Sequence, residues 1–314
     1  GPAMSERLRV LHGTMILTAT LIASSFPVSE AIATALAPQV ITFLRFAVAA
    51  VAILLVILVG RTLLDWPTPG EWLRYAACSA PVTFFFVIMM SSLQSTSALH
   101  TGVLYTLVPG LSAVYAYFLV GEKIGPHRVA ALGVCTLGAV WVIFRGDLGR
   151  MLTLEMNAGD ALFLAGCLVM GLYAPFLRRF NTGKPARVVT FWILVTGVIW
   201  LLPVSFGPML ATDWARVDAG VIASVVYLAL FVTGLTFFLY QFCTQRLGPT
   251  RVVAYSFATP VLVVGIDLLF GKPLPPLIVW PGIVIVLAAI AVVQTGARPP
   301  PVATAGKPAA KLKR

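Results

Sequence analysis

Apolar runs of 18–23 residues recur along this chain, separated only by short polar gaps. Ten can be read off: residues 10–28, 39–59, 73–93, 98–120, 127–144, 159–179, 186–204, 219–241, 250–270 and 277–296. Each is close to the ~20 apolar residues that a helix needs to cross a bilayer core. The pattern therefore predicts an all-α integral membrane protein of ten transmembrane helices, numbered here as spans 1 to 10. The gaps are too short to hold a separate soluble domain. Residues 1–9 form a short polar end that opens with Gly1-Pro2, read as the remnant of a cleaved tag. Residues 297–314 are Ala, Pro and Lys with no apolar period and are expected to be a disordered tail.

Composition agrees. The chain of 314 residues is 59% hydrophobic and 11% charged, with mean hydropathy +0.96, against about 25% charged residues in soluble domains. The net charge of +11 would suit a nucleic-acid partner, but its distribution points to a membrane instead. With the N-terminus inside, the loops on the outer side hold only Arg145, Arg150, Arg216 and Lys272, and Arg45 lies within span 2; the other 17 of the 22 Lys and Arg fall on the inner side. This satisfies the positive-inside rule, so both termini are expected in the cytoplasm and the protein in the inner (plasma) membrane, with lipid around it and no nucleic-acid partner. Arg7, Arg9, the short apolar run and the small residues "ATALA" also imitate a secretory signal. Removing span 1 would leave nine spans and break the symmetry that follows.

The chain repeats itself. "VLYTLVPGLSAVYAYFLVGEKIGPHRVAALG" (103–133) matches "AYSFATPVLVVGIDLLFGKPLPPLIVWPG" (254–282), with Pro109 aligned to Pro260 and Gly121 to Gly271; upstream, "TFFF" (83–86) matches "TFFL" (236–239). Residues 10–150 and 151–296 are thus two five-span repeats. Five is odd, so the second copy enters the membrane from the opposite side. Inverted-topology repeats are a signature of secondary transporters, whose substrate sits near the midplane where the repeats meet.

Candidate site residues lie on helix faces at spacings of three and four. Span 1 offers Thr14, Thr18, Ser25 and Ser29; span 4 offers Thr101, Tyr105 and Ser112; span 9 offers Ser256 and Thr259. Span 8 offers Tyr227, Phe231, Gly234, Phe238 and Gln241, with Phe238 paired to Phe85 of span 3. In lipid such stripes should face protein or water. The expected substrate-binding set is Ser25, Phe85, Tyr105, Tyr227, Phe238, Ser256 and Thr259. Pro109 and Pro260 each free a backbone carbonyl and are expected to act as hinges or cavity walls. Few charges lie inside the spans, so the expected cargo is a neutral or zwitterionic amphipathic solute, such as an amino acid with an apolar side chain. Arg45 is the charge that needs explaining, because a cation at the bilayer centre costs about 2.5–3.5 kcal/mol on insertion scales. An ion pair with Asp267 or Glu30, at similar depth, is the preferred reading, giving a structural or gating clamp. A direct contact with a substrate carboxylate and a solvated anchor are the alternatives. The four cysteines, Cys78, Cys135, Cys167 and Cys243, lack metal-ligand spacing and read as packing thiols. No metal, no cofactor and no enzymatic motif is expected.

These residues resemble the EamA family of the drug/metabolite transporter superfamily. The resemblance rests on Ser24-Ser25-Phe26, Pro38, Arg45-Phe46 and Ala49 in the first two spans, on "GEKIGPHRVAALGVCTLGAVWVI" closing the first repeat, and on residues 227–274 of the second. It covers about residues 10–296 and implies a secondary transporter; Tyr173 stands where the family often has an aromatic, and joins the expected substrate-binding set. The aromatic and polar central residues are similar to amino-acid exporters of the YddG group, which implies export of aromatic or hydrophobic amino acids by alternating access, in a protein that functions as a monomer. Export of drugs or lipophilic cations is the alternative. Departures from the family pattern are Ile22-Ala23 in place of Trp-Gly, Val108 and Thr259 in place of Glu before the prolines, and Gly271-Lys272 in place of Gly-Glu. Proton coupling through those carboxylates loses its residues. The topology is tested by cysteine labelling: an impermeant reagent outside should modify a cysteine placed near Ala211 and spare one near Lys184, and the opposite pattern would refute the inverted repeat.

Overall fold

The structure, a computed structural model, describes residues 2–123, 125–153, 156–247, 252–253 and 255–295. The expected tail over 297–314 and the start of span 9 at residue 250 lie outside these. Among the described residues there are helices and no strands, and seven helices are long and apolar enough to cross a membrane. They are spans 1 (within Pro2–Ile32), 2 (Pro38–Val59), 3 (Pro69–Ser92), 4 (Ala98–Val120), 6 (Ala158–Arg179), 7 (Ala186–Ala211) and 8 (Ala219–Leu247). Shorter apolar helices occupy spans 5 (Pro126–Ile143), 9 (Tyr255–Leu269) and 10 (from Leu277).

Polar residues in the gaps fix where the helices begin. Thr68 opens span 3 with a capping box: its hydroxyl accepts from the Glu71 N–H, and the Glu71 carboxylate accepts from the Thr68 N–H. Ser97, Asn157 and Asp218 cap spans 4, 6 and 8 in the simpler way. Gly121 and Gly271, at matching repeat positions, follow spans 4 and 9 with φ of 70° and 77°, a left-handed conformation that glycine reaches without a Cβ penalty.

Packing repeats as the sequence does. Spans 2 and 7, which are repeat counterparts, lie against each other, as do spans 5 and 10. Span 3 packs on span 7 and span 8 on span 2; span 4 packs on span 6 and span 9 on span 1; spans 4 and 9 touch across the centre. Two five-helix repeats of inverted topology thus form one bundle. Close approach depends on missing side chains. A Cβ on Gly138 of span 5 would stand 2.9 Å from the Gly282 carbonyl of span 10, and one on Gly197 of span 7 would stand 2.5 Å from the Phe46 ring of span 2.

Several spans are not continuous helices. Span 4 is α-helical over Ala98–Tyr105 and again over Val108–Val120. Span 9 passes from a 3₁₀ turn, Tyr255–Ala258, into an α-helix, Thr259–Leu269. Both interruptions come just before Pro109 and Pro260. Span 6 breaks between Met170 and Tyr173, ahead of Pro175. Span 8 contains a π-helical turn, Leu230–Leu235, between Ala219–Ala229 and Thr236–Leu247. Pro81, Pro109, Pro175, Pro203 and Pro260 would each be expected to interrupt a span. Three stand at these breaks, whereas Pro81 and Pro203 lie within unbroken helices. No residue pattern forecast the π turn or the short helix Leu148–Thr153 between the repeats.

The glycine contacts give a direct test. Gly138→Ala should destabilise the protein by about 1–3 kcal/mol, because the obstructing atom is backbone and cannot swing aside. Gly133→Ala, on the same helix with nothing within 4 Å of the new Cβ, should be neutral or slightly stabilising. Thermal unfolding in detergent reads both, and equal melting temperatures for the two variants would refute the packing.

Candidate functional site

The spans enclose a cavity where the two repeats meet. Span 1 contributes Ile22, Ser25 and Phe26; span 3 contributes Val82, Phe85, Phe86 and Met89; span 4 contributes Tyr105. The second repeat adds Met170 and Tyr173 from span 6 and Val232, Thr236, Phe237 and Tyr240 from span 8. The cavity volume is about 40 Å³, room for little more than a water molecule. The side chains must part to seat a solute.

Irregular backbone borders this cavity. Tyr105 ends the first half of span 4, Met170 and Tyr173 flank the break in span 6, and Val232 lies in the π turn of span 8. Within a membrane, broken helices persist only where protein or a cavity surrounds them, and π turns gather at functional sites. The rings form a connected set: Phe26 and Phe85 each contact Tyr105 (5.5 and 5.6 Å between centroids), Phe86 stacks on Phe237 (6.2 Å), and Tyr173 lies beside Tyr240 (5.9 Å). The Ser25 hydroxyl is buried there without a hydrogen-bond partner, and the Tyr173 hydroxyl interacts with Gln241.

Of the expected set, Ser25, Phe85, Tyr105 and Tyr173 line the cavity. Tyr227 does not: its hydroxyl is 2.7 Å from Ser24 Oγ and its ring stacks on Phe231. Phe238 is displaced by its neighbour Phe237 and lies beside Phe242. The cause is the π turn. Its i→i+5 bonding adds a residue to the turn, so the spacing of three and four breaks between Ala229 and Thr236 and the following face rotates. Ser256 interacts with the hydroxyl of Tyr105, its repeat counterpart. Thr259 is buried against Gly102 of span 4. Pro109 and Pro260 are buried at the starts of the second half-helices of spans 4 and 9. Phe86, Thr236 and Tyr240 were missed. "TFFF" signalled Phe86, but the choice between adjacent aromatics needed the helix rotation.

The expected ion pair of Arg45 is not formed. Arg45 is fully buried; its Nε–H donates to Thr233 Oγ1 of the π turn (3.2 Å), and its guanidinium carbon lies 4.2 Å from the centre of the Phe86 ring. Nη1 and Nη2 have no hydrogen-bond partner. Glu30 and Asp267 instead meet Lys272, whose Nζ is 2.7 Å from Glu30 Oε2 and 3.2 Å from Asp267 Oδ1. Lys272 follows span 9 and reaches both acids on a flexible stem, while Arg45 is committed to Thr233 and Phe86. Burial alone would lower the Lys272 pKa, but hydrogen bonds and attraction from Glu30 and Asp267 outweigh it and hold it above its usual 10.5. The stability it adds is therefore complete below the unfolded value and is lost as pH rises through the folded one; the cluster stays intact near neutrality.

A second ion pair stands at the other end of the bundle. Arg178 Nη1 is 2.7 Å from Glu122 Oε2. The two pairs are repeat counterparts. Glu122 follows Gly121 as Lys272 follows Gly271, and Arg178 comes three residues after Pro175 as Glu30 comes three after Pro27. At both ends a residue just beyond span 4 or 9 is tied to one on span 6 or 1, with the charges exchanged. On the Glu30 side, Asp160 is buried and held by Thr96 Oγ1 and by His100 Nδ1 at 3.1 Å, a link from span 6 to span 4. Glu30 also accepts from the Ala98 N–H at the start of span 4 (3.2 Å). On the Arg178 side a polar vestibule, lined by Tyr75, Cys78, Asn181, Gln241 and Thr244 among others, approaches the cavity, and Gln241 there is the neighbour of Tyr240.

Two inverted helical repeats around a narrow aromatic cavity define a multi-pass membrane protein built as secondary transporters are. The pattern of the EamA-like transporter family matches residues 12–144 and 157–295, once per repeat, and the chain belongs to that family. It is 22% identical over 207 residues to the "uncharacterized transporter YyaM" of Bacillus subtilis (strain 168), covering 66% of this chain and 68% of that one. The same organism's "uncharacterized transporter YxxF" is 26% identical over 70% of this chain and 68% of its own, and its YetK 23% over 60% and 57%. A solved crystal structure superposes with a TM-score of 0.67 at 20% identity, over 90% of this chain and 95% of the other, a likeness in fold.

The π-turn register makes a sharp prediction. Phe237→Ala removes a ring from the cavity wall and should weaken solute binding about tenfold, whereas Phe238→Ala should leave it within about twofold. Binding to purified protein measures both; the reverse order would restore an unbroken helical register in span 8.

Proposed function

We propose that this protein is a secondary transporter that exports small neutral or zwitterionic amphipathic metabolites, foremost amino acids with aromatic or hydrophobic side chains, across the plasma membrane by alternating access. The observation that carries the reading is the lining of the central cavity. It is aromatic and aliphatic, with a few hydroxyls and no charged side chain among the described residues. Apolar walls with a few polar groups suit a small amphipathic solute. A lipophilic cation would call for a carboxylate on that wall, and the acids at membrane depth, Glu30, Asp160 and Asp267, are all engaged elsewhere.

Alternating access draws its support from the two charge-exchanged pairs. Net positive loops assign the Arg178 end to the cytoplasm and the Lys272 end to the outside. Glu30–Lys272 then ties spans 1 and 9 on the outer side, and Arg178–Glu122 ties spans 6 and 4 on the inner side. Part-exposed pairs of this kind contribute about 0–1 kcal/mol each, so either yields to a modest binding energy. With both formed and the cavity narrow, this reading takes the described conformation as an occluded one.

Counterflow in proteoliposomes tests transport: labelled phenylalanine should accumulate against unlabelled phenylalanine inside, and no exchange with any amino acid would refute the reading. The outer tie is tested separately. Lys272→Glu should speed the labelling of a cysteine at Ser25 by an impermeant external reagent several-fold, and adding Glu30→Lys should slow it again. Equal labelling rates in all three proteins would remove Glu30–Lys272 from the gating cycle.

A further inference from the structure

We propose that Arg45 is the carboxylate-recognition residue of this transporter, reached from the cavity when the Phe86 ring turns aside. This rests on the amino-acid reading above and assigns one part of the substrate to one side chain.

Three observations carry it. The guanidinium is fully buried, yet only Nε–H is used, by Thr233, so that Nη1 and Nη2 are left as a pair of parallel donors with nothing to donate to. That free edge is the fork that receives the two oxygens of a carboxylate. No acidic side chain among the described residues supplies them: Lys272 holds Glu30 and Asp267, and Thr96 and His100 hold Asp160. Finally, the group covering the guanidinium is itself a cavity wall. Phe86 lies over Arg45 and lines the cavity; Val232 and Thr236, on either side of Thr233, line it too. An aromatic face is a weak partner for a buried cation compared with a carboxylate. Phe86 therefore acts as a placeholder that an incoming carboxylate displaces. The Thr233 bond fixes the direction of the fork, and the π turn brings Thr233 to face it.

The consequence is selectivity. The aromatic cavity accepts the side chain, while Arg45 admits molecules that carry a carboxylate. The test compares L-phenylalanine and N-acetylphenylalanine, which have the carboxylate, with phenylalaninamide and phenethylamine, which lack it, by thermal stabilisation of the purified full chain. The carboxylates should bind at least about tenfold more tightly than the amide and amine. Arg45→Gln should erase that preference, and Arg45→Lys should restore it only in part, since an ammonium cannot form the two-bond contact. Should Arg45→Gln fail to fold, Phe86→Leu serves instead: a thinner cover should strengthen carboxylate binding relative to amide binding. Equal binding of acid and amide by the parent, a preference that survives Arg45→Gln, unchanged relative binding in Phe86→Leu, or binding of none of the carboxylates would each overturn the proposal. So would equal stabilisation by chloride or inorganic phosphate, which would make the fork a general anion site. Counterflow keeps the two readings apart. Acid–amide selectivity without exchange leaves Arg45 standing and removes transport; exchange without selectivity does the reverse.

Discussion

Hydrocarbon offers no hydrogen-bond partner, so every backbone group that a broken helix releases must be met from within the protein. Span 6 shows how this is done. Pro175 has no N–H, which leaves the Gly171 carbonyl free, and the N–H of Leu172 turns to Val169, which frees the carbonyl of Leu168. Both are caught by span 4: Ser112 Oγ donates to Gly171 at 2.8 Å and Tyr115 donates to Leu168 at 3.1 Å. A Cβ at position 171 would come within 2.8 Å of Leu111, so the glycine permits the approach that makes these bonds possible. A break that would be intolerable against lipid becomes a stable corner of the cavity. The equivalent meeting of spans 9 and 1 lacks the device, because Val263 stands where Ser112 stands. Span 1 there runs on through Pro27 as one helix.

This difference explains how far the sequence could be read. Span number, repeat boundaries and inversion depend on run length, on paired prolines and on loop charges, all of which are local. So do Ser25, Phe85 and Tyr105, which sit on helix faces ahead of any break in their spans; Tyr173, beside the break in span 6, came from the family resemblance. Phe238 failed because the π turn precedes it and a single added residue turns the following face; Tyr227 lies before that turn and is held instead by Ser24 and Phe231. Arg45 failed differently. Glu30 and Asp267 were correctly matched to a cation at their depth, but a lysine beyond the helix end outreached the arginine within it. The position of Lys272 just beyond the helix end, and the commitment of Arg45 to Thr233 and Phe86, decided the pairing, and depth alone includes neither.

The aromatic cavity and the polar ends do separate work in this arrangement. The middle of the bundle is closed by rings that pack without directional bonds, so it can reshape around solutes of different outline. The ends are closed by ion pairs and by the Asp160–His100–Thr96 link, which are directional and local. Spans 2 with 7 and 5 with 10 pack as repeat-related pairs, which in the proposed cycle would be the frame on which the other spans tilt.

The exchanged charges at the two ends have an electrical consequence. Each tie sets acid against base at one depth, with two acids, Glu30 and Asp267, on Lys272 at the outer end, so parting them spreads charge along a membrane surface instead of carrying it through the field. Moving a full elementary charge across the bilayer would couple the cycle to voltage by about 2.3 kcal/mol per 100 mV. A cycle that opens Glu30–Lys272 and Arg178–Glu122 in turn around a zwitterion moves almost none. In that reading the membrane voltage itself would contribute little to the direction of transport.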